Sequence, residues 1–75
     1  MIIFSKIGFV TDGQLKGLKV TILDDTNNTG GYDVLYWTPL GDPKYSNWYE
    51  SYEALLVNIE DDKIQWTDED YISQN

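Results

Sequence analysis

The chain contains no cysteine, no histidine and no arginine, and only two prolines among its 75 residues. Without cysteine there is no disulfide to stiffen a thin core and no thiolate to act as nucleophile or ligand. Without histidine as well, Ser-His-Asp and Cys-His catalytic arrangements are excluded, and so is an ordinary zinc site. Gly30-Gly31 precedes a strand-like run rather than a helix and is not followed by Lys-Ser/Thr, so it is no phosphate-binding loop. The opening MIIFSKIGFV has no basic stretch before its apolar residues and no small-residue cleavage site after them. It is too short to span a bilayer and is interrupted by Ser5 and Lys6. These features suit a reducing compartment, and we expect a cytoplasmic protein with no membrane contact.

What the chain has in excess is negative charge. Thirteen acids face five lysines, for a net charge of −8. Residues 1–49 carry a net of −1, and residues 50–75 carry −7. A field of that sign repels nucleic acid and anionic lipid and attracts basic proteins. Three Trp, six Tyr and two Phe are too many for a solvated, disordered tail. The length is that of one domain, residues 1–75, close to the lower size limit for a self-sufficient core.

Hydrophobic periodicity orders the chain. Ile2 to Val10 is a β-type run with apolar residues on both parities. Asp12-Gly13 signals a turn into Gly17–Asp24, where Leu18, Val20 and Ile22 alternate with Lys19, Thr21 and Leu23. A polar loop rich in Asp, Asn and Gly leads to Gly31–Thr38, with Tyr32, Val34 and Tyr36 toward the core and Asp33, Leu35 and Trp37 opposite. Pro39, Gly41 and Pro43 end that strand. From Ser46 to Ile59, Trp48, Tyr52, Leu55, Leu56 and Ile59 fall on one helical face. Asn47 with Glu50 reads as a capping box, with Ser46 the competing cap. Lys63–Thr67 alternates as a last short strand. Thr67 with Asp70 is expected to cap a terminal helical turn, or residues 68–75 to fray. The expected fold is α+β: a small antiparallel sheet in β-β-β-α-β order with one helix packed on one face.

Asp25, Asn27, Thr29 and Gly30 imitate the start of an EF-hand loop. The position that should supply a bidentate Glu is Tyr36, and no helices flank the loop. A loop capped by its own Asp and Asn side chains is the better reading. No catalytic residue, metal ligand or cofactor is expected. Two surfaces are candidates for partner binding. One is the acidic set Glu50, Glu53, Glu60, Asp61, Asp62, Asp68, Glu69 and Asp70. Glu60, Asp61 and Asp62 stand at a helix C-terminus, where the dipole disfavours them and local stability gains nothing. The other is the sheet face away from the helix, centred on Asp33, Leu35 and Trp37, where an exposed Trp beside acids has the composition of an interface hot spot. The competing reading is that the register is reversed, or that the first strand or the tail covers Trp37.

The segments GGYDVLYW, NWYESYEALL and KIQW, in a small acidic chain rich in Trp and Tyr, resemble bacterial immunity proteins, the inhibitors that neutralise cognate nuclease toxins. The resemblance is one of layout over residues 18–66 and transfers no functional residue. It implies a non-enzymatic inhibitor, monomeric or weakly dimeric, whose acids engage a basic protein partner such as a nuclease toxin and whose aromatics anchor the contact. The alternatives are a phage-type DNA mimic that blocks a host defence nuclease, and a carbohydrate-binding or structural module with Tyr32, Tyr36 and Trp37 as stacking rings.

Overall fold

The computed structural model describes residues 1–72. Five antiparallel strands form one sheet: β1 (Lys6–Val10), β2 (Lys19–Asp25), β3 (Gly31–Trp37), β4 (Pro43–Tyr49) and β5 (Ile64–Asp70). Helix α1 (Tyr52–Ile59) and a 3₁₀ turn (Glu60–Asp62) connect β4 to β5. The spatial order is β4-β3-β2-β1-β5, so the helix carries the chain from one edge of the sheet to the other. The fold is α+β with a small antiparallel sheet, but the element order is β-β-β-β-α-β. None of the helices among the described residues is long and apolar enough to cross a membrane.

The added strand corrects the expected helix start. At Thr38–Asp42 the chain reverses in a turn in which Thr38 N–H donates to Asp42 O and Gly41 N–H to Thr38 O. Gly41 takes φ 101°, a conformation that costs glycine little. The turn returns the chain antiparallel to β3, pairing Tyr32 with Tyr49, Asp33 with Trp48 and Tyr36 with Tyr45. Tyr and Trp suit that extended backbone. The helix therefore starts about one turn later than its aromatic spacing suggests, capped by Ser51, whose Oγ accepts from Ala54 N–H at 3.1 Å. Asn47 is in the strand, so Asn47 and Glu50 form no capping box.

Strand parity is as the alternation predicts. Val10, Val20, Ile22, Val34 and Tyr36 meet Leu55 and Ile59 of the helix in one buried cluster. The expected strand from Ile2 is broken at Ser5, which has φ 63°. Ile2 and Phe4 thereby pack against the same core as the helix. The Phe4 ring stacks on Tyr32 at 5.8 Å, with Tyr52 completing the aromatic trio. That break explains why both parities of the opening run are apolar. A Cβ on Gly8 would collide with Ile64 and Trp66, so glycine lets these β5 side chains lie across β1.

The expected terminal helical turn at Thr67–Asp70 is also overturned. These residues extend β5, paired to β1 with Lys6 opposite Asp70 and a bulge before Gly8 meets Trp66. Thr67 Oγ1 donates to Ile7 O at 2.7 Å, which commits it to the sheet. Tyr71 N–H donates to Ser5 O. Of the segment expected to fray, 68–70 is strand, and 73–75 lies outside the described residues.

Candidate functional site

An antiparallel sheet gathers the two ends of its strands at two poles, and the charges divide between them. One pole combines the ends of β1 and β3 with the starts of β2, β4 and β5 and the end of α1. It carries Asp12, Asp42, Glu60 and Asp61, the buried Asp62, and four of the five lysines: Lys16, Lys19, Lys44 and Lys63. Lys63 Nζ lies 3.4 Å from Asp12. The opposite pole carries Asp24, Asp25, Asp33, Glu50, Glu53, Asp68, Glu69 and Asp70 against Lys6 alone. The net charges are −1 and −7. They repeat the imbalance between the two parts of the sequence, but with different members.

The expected acidic set is thus not one patch. Glu60 and Asp61 are separated from Asp68, Glu69 and Asp70 by the length of β5, about 20 Å for its seven residues. Glu50 and Glu53, at the start of α1, join the second group. Asp24, Asp25 and Asp33 join it as well, brought there by the β2–β3 hairpin. Glu50 and Glu53 sit where the helix dipole favours negative charge. Lys6 is held by the Asp70 carboxylate and by Asp68 O. The hydrogen bond to Asp70 above all, and then the charges of Asp70 and Asp68, raise its pKa against a smaller opposing effect of burial. Its charge is therefore spent within the pole.

Asp62 is placed differently from its neighbours. It is only 7 % exposed, and its Oδ2 accepts from the Tyr36 hydroxyl at 2.7 Å. Burial, helped by the charge on Asp61, pushes its pKa up, while the Tyr36 bond works the other way. Tyr36 is raised too, by burial first and then by this bond. Asp62 is therefore packed at the core with its carboxylate turned to Tyr36, unlike the exposed Glu60 and Asp61.

On the sheet face away from the helix, Asp33, Leu35 and Trp37 stand beside Lys19, Thr21 and Leu23, as parity requires. Trp37 is half-buried, its ring 5.8 Å from that of Tyr71, so the chain beyond β5 partly covers it. A shallow groove of about 790 Å³ runs among Ile7, Leu35, Trp37, Pro43, Tyr71 and Ile72. Lys19 Nζ lies 5.8 Å over the Phe9 ring, a cation–π contact on the same face. Tyr32 and Tyr36 project to the helix side, so they form no common platform with Trp37.

The aromatic that periodicity misassigned is Trp48. It is 47 % exposed on this face, opposite Asp33, with its Nε1 donating to Thr29 Oγ1 at 2.9 Å. The indole crosses Gly31, where a Cβ would collide with it. The only signal for this in the sequence is the Gly30-Gly31 pair, a gap that some large side chain must fill. Partial burial and the charge of Asp25 raise the Asp33 pKa. Trp48, Asp33 and Asp25 thus join an exposed ring to the acidic pole.

At the end of β2, Asp24 Oδ1 accepts from Thr26 N–H and its hydroxyl, so its side chain caps the turn that follows. Among the described residues no group of three or more His, Cys, Asp or Glu side chains is arranged to hold a metal. No protein-family model matches the chain, and comparison with curated proteins and with solved structures finds no match.

Proposed function

We propose that this protein is a non-enzymatic inhibitor of the immunity type, which captures a basic protein partner, such as a nuclease toxin, at its acidic pole. The observation that carries the reading is the convergence of eight carboxylates from four separate stretches of chain, with Lys6 as the only cation among them. Such a field steers a cationic partner in diffusional encounter, and its carboxylates accept from Lys and Arg side chains on docking. Trp48 supplies the apolar anchor that charge alone lacks, a large ring bordered by Asp33 and Asp25. Glu60 and Asp61, at the pole shared with four lysines, contribute little to this contact, and Asp62 contributes to the fold instead.

The test is a triple charge reversal at exposed positions, Glu50, Asp68 and Glu69 to Lys, set against the double reversal of Glu60 and Asp61 as control. Partners retained from lysate at low salt are identified and titrated. The expected result is a partner of high isoelectric point whose association with the triple variant slows by about tenfold or more, with most of its salt dependence gone. The control keeps binding, and both variants keep the wild-type unfolding midpoint. A partner that is neutral or acidic, or one that binds the triple variant as fast as the wild type, overturns the proposal.

A further inference from the structure

We propose that β4 is a self-association edge, and that two copies of this chain pair their β4 strands antiparallel about a twofold axis through Asn47, joining their sheets into one of ten strands. An edge strand presents a row of unpaired N–H and C=O groups, and proteins ordinarily blunt such rows with bulges, charges or covering chain. The two edges of this sheet differ in that respect. Strand β5 has a bulge in its pairing with β1 and ends in Asp68, Glu69 and Asp70. Strand β4 has seven residues exposed along almost its whole length, with Lys44 its single charge and Tyr45 and Trp48 its large side chains. The bulge in its pairing with β3 falls at its beginning, which leaves the stretch from Tyr45 regular.

The ladder defines which backbone groups are free. Thr38 N–H donates to Asp42 O, so the even residues of β3 direct their backbone toward β4. Independently, Ser5 N–H donates to Ile22 O, which turns the even residues of β2 toward β1 and the odd ones toward β3, and this gives the same alternation. Tyr45, Asn47 and Tyr49 are therefore bonded to Val34 and its even neighbours, while Ser46 and Trp48 direct their N–H and C=O outward.

Centring the pairing on Asn47 sets Ser46 of one copy against Trp48 of the other, twice, so that every outward group in this stretch finds a partner. The same register opposes Tyr45 to Tyr49 on the helix side of the sheet, a favourable cross-strand pair. It also brings Lys44, at the bulge, near Glu50, just past the end of the strand, across the seam. An isologous contact repeats both by symmetry. Charge favours this direction of pairing. It sets the acidic pole of each copy beside the pole of the other that carries four lysines, and the two acidic poles point to opposite ends of the dimer.

The test is sedimentation of the full chain from about 10 µM to about 1 mM, the range in which a weak edge contact is populated. The expected result is a concentration-dependent dimer, with the Ser46 and Trp48 amides protected from hydrogen exchange only at the high concentrations. Ser46→Pro removes an outward N–H without touching a β3 bond, and leaves a monomer. Lys44→Glu and Glu50→Lys each weaken the dimer by about threefold or more, and the double variant recovers it. A chain that stays monomeric at about 1 mM, a dimer in which these two amides exchange at their monomer rate, or charge-swapped variants that show no recovery each overturn the proposal.

Discussion

Leu55→Ala lowers the unfolding free energy by about 2–5 kcal/mol, enough to leave a population of unfolded chains at room temperature. A chain of this length has roughly 4–11 kcal/mol in total, so one such cavity removes a large part of it. The size of the effect follows from how little of the helix is buried. Of its eight residues only Leu55 and Ile59 are buried, and Leu55 is completely so, against Val20, Ile22 and Val34. The sheet cannot follow the missing side chain inward, because Val20 and Val34 are paired on both sides of their strands, and Ile22 is paired to Val34 on one side and bonded by Ser5 N–H on the other. Leu56 is the comparison: it is 39 % exposed at the border of a groove with Met1 and Ile2, and its truncation costs less than about 1 kcal/mol. Urea unfolding followed by tryptophan fluorescence measures both. Equal losses for the two variants would show that the helix does not rest on Leu55.

The sequence treats Leu55 and Leu56 alike, which illustrates where periodicity stops. Parity along Leu18–Leu23 and Tyr32–Trp37 was legible, because a strand with one buried face must alternate and these runs do. The start of the helix was not. Trp48 and Tyr52 satisfy a helical spacing, and Asn47 with Glu50 satisfies a capping pattern, yet a turn at Thr38–Asp42 made β pairing with β3 available to the same residues. Tertiary pairing outweighed local preference there. The candidate site was half legible for a related reason. Net charge is a property of composition, but its location depends on which strand ends meet. Acids at 60–62 and 68–70 are neighbours in sequence and are set apart by a strand; Asp24 and Asp33 are far from Asp68 in sequence and share its pole. Asp62 and Tyr36 are 26 residues apart, and nothing local to either announces the other.

That buried pair has the second large effect, and its sign changes with the partner removed. Tyr36→Phe leaves the Asp62 carboxylate buried without its donor, at a cost of about 1–3 kcal/mol near neutral pH. Asp62→Asn keeps an acceptor oxygen for the Tyr36 hydroxyl and removes the charge that burial penalises, so it unfolds at a higher temperature than the wild type at pH 7. The pH dependence separates the two effects. Burial raises the Asp62 pKa above its ordinary value of 3.8, so the folded chain holds this proton more tightly than the unfolded chain does. The stability that follows is fully present below 3.8 and is lost as pH rises through the raised value. Asp12 and Asp24 act in the opposite sense: their hydrogen bonds lower their pKa, and their contribution is lost as pH falls through the lowered values. The advantage of Asp62→Asn should therefore shrink steadily from pH 7 toward pH 4, and the penalty of Tyr36→Phe should shrink with it, because a protonated carboxyl is less costly to leave without a donor. Thermal melts of the three proteins across that interval measure both. A difference between Asp62→Asn and wild type that stays constant with pH would mean that Asp62 ionises as freely in the fold as outside it.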